Sequence, residues 1–426
     1  MNKIDMRAES LDAALANAPV SLDMARKLAC GFARSQPELA ITRLPVALAT
    51  GRILAEDIVA EAEQPRFDAA EVDGYAISTD DLQGDGPWKL RITGNLEAGS
   101  EPQERVAYRT DEALRIAAGA PVPTFANAVI PKHSVSRIDR TLELSTRPEA
   151  FANIFRAGTH VASGARLMDR ETVLSPRHLG LLSSMGVTDV TTFRKLPVAV
   201  LSTGSELVEP GDKLPPAGTH DANRQMLISA ITERWVRVRD LGIVGDDTAL
   251  LRMVMGEAVA SQRVILTTGG TGPGESDQIA RIIEDLGGEL LVESIAMQAG
   301  GTTMIGAVDK TLIISLPGDP VAAWIGFETL VRPTLRAAVG LLEGELETAS
   351  GRALFAYPKE RGVTDLPLVT AGGADDKGDA PLFLSRERPT GNLALLAKSD
   401  GFALLDEAQG PVAAGDPVQW VRFDRG

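Results

Sequence analysis

The chain has 426 residues, 44% of them hydrophobic, and a formal charge of −15. It is too long for one ordinary core and too apolar for intrinsic disorder, so about two to four globular domains are expected. The negative balance disfavours nucleic acid and anionic membrane surfaces as partners, because a net negative surface repels both. A single cysteine, Cys30, excludes an intramolecular disulfide framework and any multi-cysteine metal site. It lies in an apolar helical stretch and reads as a buried structural thiol. The opening MNKIDMRAES lacks the apolar core of a signal peptide, and no apolar run is long enough to span a bilayer. The chain therefore reads as soluble and cytoplasmic.

In chain order, residues 9–34 carry two helical patterns, SLDAALANA and SLDMARKLACGFAR, each opened by a serine suited to an N-cap. From about residue 66 to 150, the short runs WKLRITG, EALRIAAG, NAVIPKH and TLELSTR, separated by Gly, Pro and Asp, predict a small β-rich domain without a long helix. SPRHLGLLSSMG predicts a capped helix ended by Gly186. Residues 195–340 then alternate strand and helix: VAVLS, ANRQMLISAITERW, VRDLGIV, TALLRMVMGEAVAS, RVILTT, IARIIEDLG, LIISL and AAWIGFETLVRPTLRAAVG. Such alternation predicts a doubly wound parallel sheet with helices on both faces. From about residue 350 the chain returns to short strands around a polar loop, AGGADDKGDA, which predicts a C-terminal β-domain.

The most informative stretch is RVILTTGGTGPGESDQIARIIEDLGG, residues 263–288. An apolar β-branched run breaks at Gly269, Gly270, Thr271, Gly272 and Gly274 and resumes with Ile279, Ile282, Ile283 and Leu286 at helical spacing. Glycines at such a turn allow positive φ and close approach to a ligand, and the N–H groups of the following helix favour an anion. Ser276 or Asp277 is placed to cap that helix. Glu275 and Asp277 at the same mouth suggest a bridging Mg²⁺ between carboxylate and phosphate; the plainer alternative is a tight turn with an acidic cap. Two further runs end alike, at Thr203, Gly204 and Glu206 and at Pro317, Gly318 and Asp319. Ligands of open parallel sheets bind at the carboxyl ends of the strands, so these three ends are expected to form one site.

GRILAED, RFDAAEVDGYAI, AAGAPVPTFANAVI, RAGTHVASGARL, LGLLSSMG, VAVLSTGSEL, HDANRQML, LTTGGTGPGESDQ, ISLPGDPVAA, AKSDGFALL and AAGDPV follow one another over nearly the whole chain. In this order they resemble the molybdopterin molybdenumtransferase family, known as MoeA in bacteria and as the gephyrin E domain in animals. The resemblance implies an elongated MoeA-like subunit. Its N-terminal region would be 1–194, two intertwined domains with the β-rich part at about 66–150. A molybdopterin-binding α/β domain at 195–340 and a C-terminal β-domain at 341–426 would follow. It also implies a homodimer and a reaction in which molybdenum from molybdate enters adenylated molybdopterin with release of AMP. A molybdopterin adenylyltransferase or a recipient molybdoenzyme becomes a potential partner. Asp73, Glu206, Asp246 and Asp277 match the family's functional acids, the last three as implied Mg²⁺ ligands.

Departures from the family pattern concentrate at the anion-handling motifs. Ala69 and Ala70 replace an amide and a hydroxyl, Ser205 replaces an aspartate, and Thr159 and His160 stand where an acidic pair is expected. The lysine-bearing KPGKP becomes Gln298, Ala299, Gly300, Gly301 and Thr302; LPGNP becomes LPGDP through Asp319; a Gly-Ser pair becomes Gly391-Asn392. Each lost charge-assisted hydrogen bond costs roughly 1.5–3 kcal/mol, against roughly tenfold in affinity per 1.4 kcal/mol. Arg156, Arg224 and His160 are the candidates to compensate. Three readings follow: an insertion enzyme with a remodelled anion pocket, a paralogue that binds molybdopterin or its cofactor as a carrier or assembly factor, and another metal-assisted phosphate hydrolase on the same scaffold.

Overall fold

The computed structural model describes residues 18–101, 109–270, 276–341, 346–374, 378–385 and 389–423, with the side chains of Ser276 and Asp277 left aside. Of the first predicted helix, SLDAALANA, residues 10–17 lie outside them. Two compact units emerge, one of residues 43–50 and 54–191 and the other of the remaining chain.

In the smaller unit, the runs of alternating character become a six-stranded sheet in the spatial order Ala128–Pro131, Gly74–Ile77, Glu112–Ile116, Trp88–Leu96, Thr141–Leu144, Ser136–Ile138. One face buries Tyr75, Ile77, Leu90, Ala113, Ala128, Ile130, Leu142 and Leu144. Alternate residues, among them Ala76, Leu114, Ile116 and Val129, pack a second cluster on the opposite face. A separate core gathers Leu54, Met168, Leu174, Leu182 and Val190 around the helix Pro176–Ser184. That helix starts as expected, with Ser175 accepting the His178 N–H and His178 Nδ1 accepting the Ser175 N–H in return, and it is followed by Gly186 at φ 78°.

The larger unit holds the doubly wound sheet. Its strands are β1 (Leu196–Thr203), β2 (Val236–Val244), β3 (Val264–Thr268), β4 (Glu289–Val292), β5 (Met304–Val308) and β6 (Thr311–Leu316), in the order β2-β1-β3-β6-β5-β4. The first four in that order are parallel, whereas β5 runs antiparallel to β6 and β4 antiparallel to β5. The expected all-parallel sheet is therefore extended by an antiparallel edge. Asp309 and Lys310 make the tight turn that reverses the chain there, with Asp309 at φ 51°.

Helices Thr248–Val259 and Ser276–Asp285 cover one face, where Leu251, Met255, Ile279, Ile282 and Ile283 meet Ala199, Leu201, Ile265 and Ile313. The alternate strand residues Val198, Val200, Leu266 and Ile314 are equally buried, and helices Leu22–Ser35, Asn223–Ala230 and Pro320–Gly326 pack against the sheet as well. Ser21 caps the first of these by accepting the Met24 N–H at 3.2 Å. Cys30 is buried in it, its thiol pushed up by burial. The C-terminal strands Ala349–Ala353, Leu368–Ala371, Ala380–Leu384, Gly401–Leu404 and Pro417–Arg422 close into a barrel, which leaves no open sheet edge.

Gly74 shows how tightly the β-rich sheet is drawn: a Cβ there would lie 1.9 Å from the Ile130 carbonyl oxygen. Gly74→Ala is expected to destabilise the protein by about 1–3 kcal/mol, because neighbouring backbone must move. Chemical denaturation followed by tryptophan fluorescence checks this.

Candidate functional site

The sheet brings four strand ends level. Thr268 of β3 pairs with Ser202 of β1 on one side and Leu316 of β6 on the other, while Thr203 pairs with Val244 of β2. Because β2 and β3 flank β1, the chain switches direction at β1, and ligands of such sheets occupy the crevice at that point.

Glycines let the loops beyond these ends approach one another. Gly269, at φ 88°, lies so close to β1 that a Cβ would sit 2.2 Å from the Thr203 carbonyl oxygen. At Gly270 a Cβ would fall 2.9 Å from Thr203 Oγ1. Gly318 packs against Gly269, with 3.6 Å between a Cβ placed there and the Gly269 Cα. Asn223, at the head of its helix, ties two of the loops together: its amide donates to Thr268 Oγ1 at 2.8 Å and to the Gly318 carbonyl at 2.9 Å. Thr268 Oγ1 in turn donates to the Pro317 carbonyl. Thr203 is 3% exposed, and its buried hydroxyl has no hydrogen-bond partner among the described residues. An unmet buried hydroxyl beneath a glycine loop is a group that a ligand can satisfy.

The acids stand on the same edge. Glu206 folds its carboxylate back over Gly204, where a Cβ would lie 2.5 Å from Oε2. Asp246 and Ser205 exchange hydrogen bonds: the Ser205 N–H donates to Asp246 Oδ2 at 3.3 Å and the Asp246 N–H to Ser205 Oγ at 2.9 Å. Gln278 donates to the Asp246 carbonyl at 3.3 Å and to Thr248 Oγ1 at 2.9 Å, so the first turn of the helix containing Asp277 sits against the Asp246 loop. Asp277 is placed only by its backbone, and Thr271, Gly272, Gly274 and Glu275 lie outside the described residues. Among the described residues, no group of three or more His, Cys, Asp or Glu could hold a metal ion.

Asp73 belongs to the smaller unit. Its carboxylate accepts the Ala118 N–H at 3.0 Å and meets Lys132 Nζ at 3.4 Å, at a polar cleft of about 330 Å³ that Arg115 and Arg137 also line. The Ala118 N–H first and the Lys132 ammonium second hold its carboxyl below the usual carboxylate range.

The three side chains that would replace the missing lysines are engaged elsewhere. Arg224 is buried, donating to Asp221 Oδ2 at 2.9 Å, Asp240 Oδ2 at 2.5 Å and both oxygens of Glu209. Burial opposes its charge, but the bonds to Asp240, Asp221 and Glu209 outweigh that and raise its pKa above the ordinary guanidinium value. Arg156 pairs with Asp68 at 3.1 Å and covers the Phe151 ring, and His160 packs edge-on to Phe155. The segment that replaces KPGKP forms a tight turn. Ala299 and Gly300 take φ 65° and 114°, and a Cβ at Gly301 would lie 2.9 Å from the Met297 carbonyl oxygen.

Asn223 and the Ser205–Asp246 exchange are absent from the sequence reading. An asparagine at a helix head reads as a cap, yet here Ala222 is the cap position and Asn223 turns to the strand ends. Its place in HDANRQML is the one signal available.

The fold thus defines a doubly wound α/β protein whose candidate ligand edge lies at the carboxyl ends of β1, β2, β3 and β6. The MoeA N-terminal region (domain I and II) profile matches residues 10–186, and the profile of a probable molybdopterin binding domain matches residues 199–337. A molybdopterin molybdenumtransferase of Haemophilus influenzae is 31% identical over 393 residues, which cover 88% of this chain and 92% of that protein. Molybdopterin molybdenumtransferase 2 of Mycobacterium tuberculosis is 31% identical over 306 residues, covering 70% and 75%. The crystal structure of a molybdopterin biosynthesis MoeA protein from Pyrococcus horikosii superposes with a TM-score of 0.80 over 96% of this chain and 100% of that one, at 29% identity. The chain belongs to the molybdopterin molybdenumtransferase family and has the MoeA fold.

Two outcomes test this geometry. Arg224→Ala strands the buried Asp221 and is expected to cost about 3–5 kcal/mol, measured as a shift in denaturation midpoint. Lys132→Met removes one of the groups that depress Asp73, so the Asp73 carboxyl should titrate closer to its ordinary pKa of about 3.9, read by carbon NMR.

Proposed function

We propose that this chain acts in molybdenum cofactor biosynthesis, inserting molybdenum from molybdate into adenylated molybdopterin with release of AMP. The observation that carries the reading is the shared edge of β1, β2 and β3. There the glycines 204, 269 and 270 surround the unmet Thr203 hydroxyl, and Glu206 and Asp246 flank Ser205. Family membership supplies the substrate class.

In this reading the Gly269–Gly270 loop and Thr203 hold the phosphate end of the pterin, and Asn223 keeps the β3 and β6 loops at fixed separation. Hydrolysis of the adenylate adds one water across the phosphoanhydride bond. A carboxylate at Glu206 or Asp246 accepts a hydrogen bond from that water and so orients it. A Mg²⁺ ion uses one or two carboxylates and takes its remaining ligands from phosphate and water, which is the part this reading gives the two acids. Glu206 and Asp246 would hold it, with Asp277 on the adjoining helix turn; when bound, it would neutralise charge developing on the phosphate oxygens. Asp73, kept ionised by Ala118 and Lys132, acts as a fixed hydrogen-bond acceptor and not as a proton donor near neutral pH.

The deciding experiment combines purified protein, adenylated molybdopterin, Mg²⁺ and molybdate, and follows AMP release together with activation of a cofactor-free molybdoenzyme. Both are expected. In Glu206→Gln and Asp246→Asn the rate should fall about a hundredfold, the lower end for loss of a positioned acid or base. Pterin binding without AMP release would make the protein a carrier or assembly factor, and absence of both would point to another metal-assisted hydrolase.

A further inference from the structure

The Gly-Asp-Asp run that follows β2 divides its two acids between two roles. Asp247 caps the helix Thr248–Val259, its Oδ1 accepting the Ala249 N–H at 3.0 Å and the Leu250 N–H at 3.1 Å. Asp246 is left out of that cap and turns to the end of β1. Its backbone N–H donates to Ser205 Oγ at 2.9 Å, and its Oδ2 accepts the Ser205 N–H at 3.3 Å. These bonds extend the pairing of the two strand ends, where the Gly204 N–H donates to the Val244 carbonyl at 3.1 Å. Gly245 allows the close approach, since a Cβ there would lie 3.1 Å from Ser205 Oγ. From the other side, Gln278 holds the Asp246 carbonyl at 3.3 Å.

The family pattern has aspartate at residue 205. A carboxylate there could also accept the Asp246 N–H, but it would set a second negative charge against Asp246 Oδ2, and like charges so close disfavour each other's ionised form. The serine hydroxyl supplies the acceptor without the charge. We infer that Ser205 is a positioning residue for the adenylate hydrolysis, acting through Asp246. Its Oγ fixes the Asp246 backbone and its N–H fixes the carboxylate, so the ionised acid is held in one orientation at the strand ends. The inference rests on the reading that Asp246 serves that reaction.

A double-mutant cycle on the full chain tests it, with AMP release from adenylated molybdopterin measured over a range of substrate concentrations. Ser205→Ala is expected to lower kcat about tenfold with KM little changed, as for one hydrogen bond lost from a positioned group. Ser205→Thr keeps the hydroxyl and should restore most of the rate. In the Asp246→Asn background the same Ser205→Ala change should cost less than about twofold, because the group it positions has already lost its charge. A purely structural role would carry the tenfold loss into that background unchanged. Either that additive loss or a parent-like rate in Ser205→Ala overturns this inference and leaves the functional reading standing. A parent protein that releases no AMP overturns both.

Discussion

The backbone approach of Gly269 to Thr203 is the constraint on which the candidate ligand edge depends. Adjacent parallel strands deliver β1 and β3 to the same level, but their loops converge only because no side chain intervenes at residue 269. With a Cβ 2.2 Å from the Thr203 carbonyl, the β3 loop would have to lift away, and the Gly318 loop packed on it would follow. Hydrogen bonding then fixes what steric allowance makes possible: Asn223 fastens Thr268 to Gly318, and Ser205 fastens Asp246 to the β1 loop.

Much of this is legible in the sequence because glycine and β-branched residues leave strong marks. The run Val264–Thr268 followed by Gly269 and Gly270 specifies strand and loop, and the spacing of Ile279, Ile282 and Ile283 specifies which helix face is buried, as found. The antiparallel edge is harder to read, since ELLV at 289–292 is short and Met304–Val308, interrupted by Gly306, lacks the alternation of an edge strand. A Cβ at Gly306 would lie 2.7 Å from the Ile283 side chain, so that glycine exists for helix packing and not to break a strand.

The candidate site's glycines and acids are marked in the sequence, but the contacts that organise them are not. Nothing local distinguishes Asn223, which acts on loops 45 and 95 residues away in sequence. Arg224 is the opposite case. As a cation beside a recognised motif it reads as an anion ligand, but folding surrounds it with Asp221, Asp240 and Glu209, whose distances along the chain conceal the cluster. Ser205 likewise reads as a lost acid, whereas its hydroxyl and backbone N–H position the neighbouring one.

The adjacency of Asn223 and Arg224 bears on how such chains change over time. One residue ties the strand-end loops together and the next neutralises the buried Asp221, so a single helix head answers to two kinds of selection. On the proposed reading, a lineage that stopped turning over its substrate would still be bound to keep Arg224 and Asp221 to remain folded, while Glu206 and Asp246 would be free to drift. Retention of the arginine in a relative therefore reports on its architecture, and on the proposed reading the record of its chemistry is kept by the two acids.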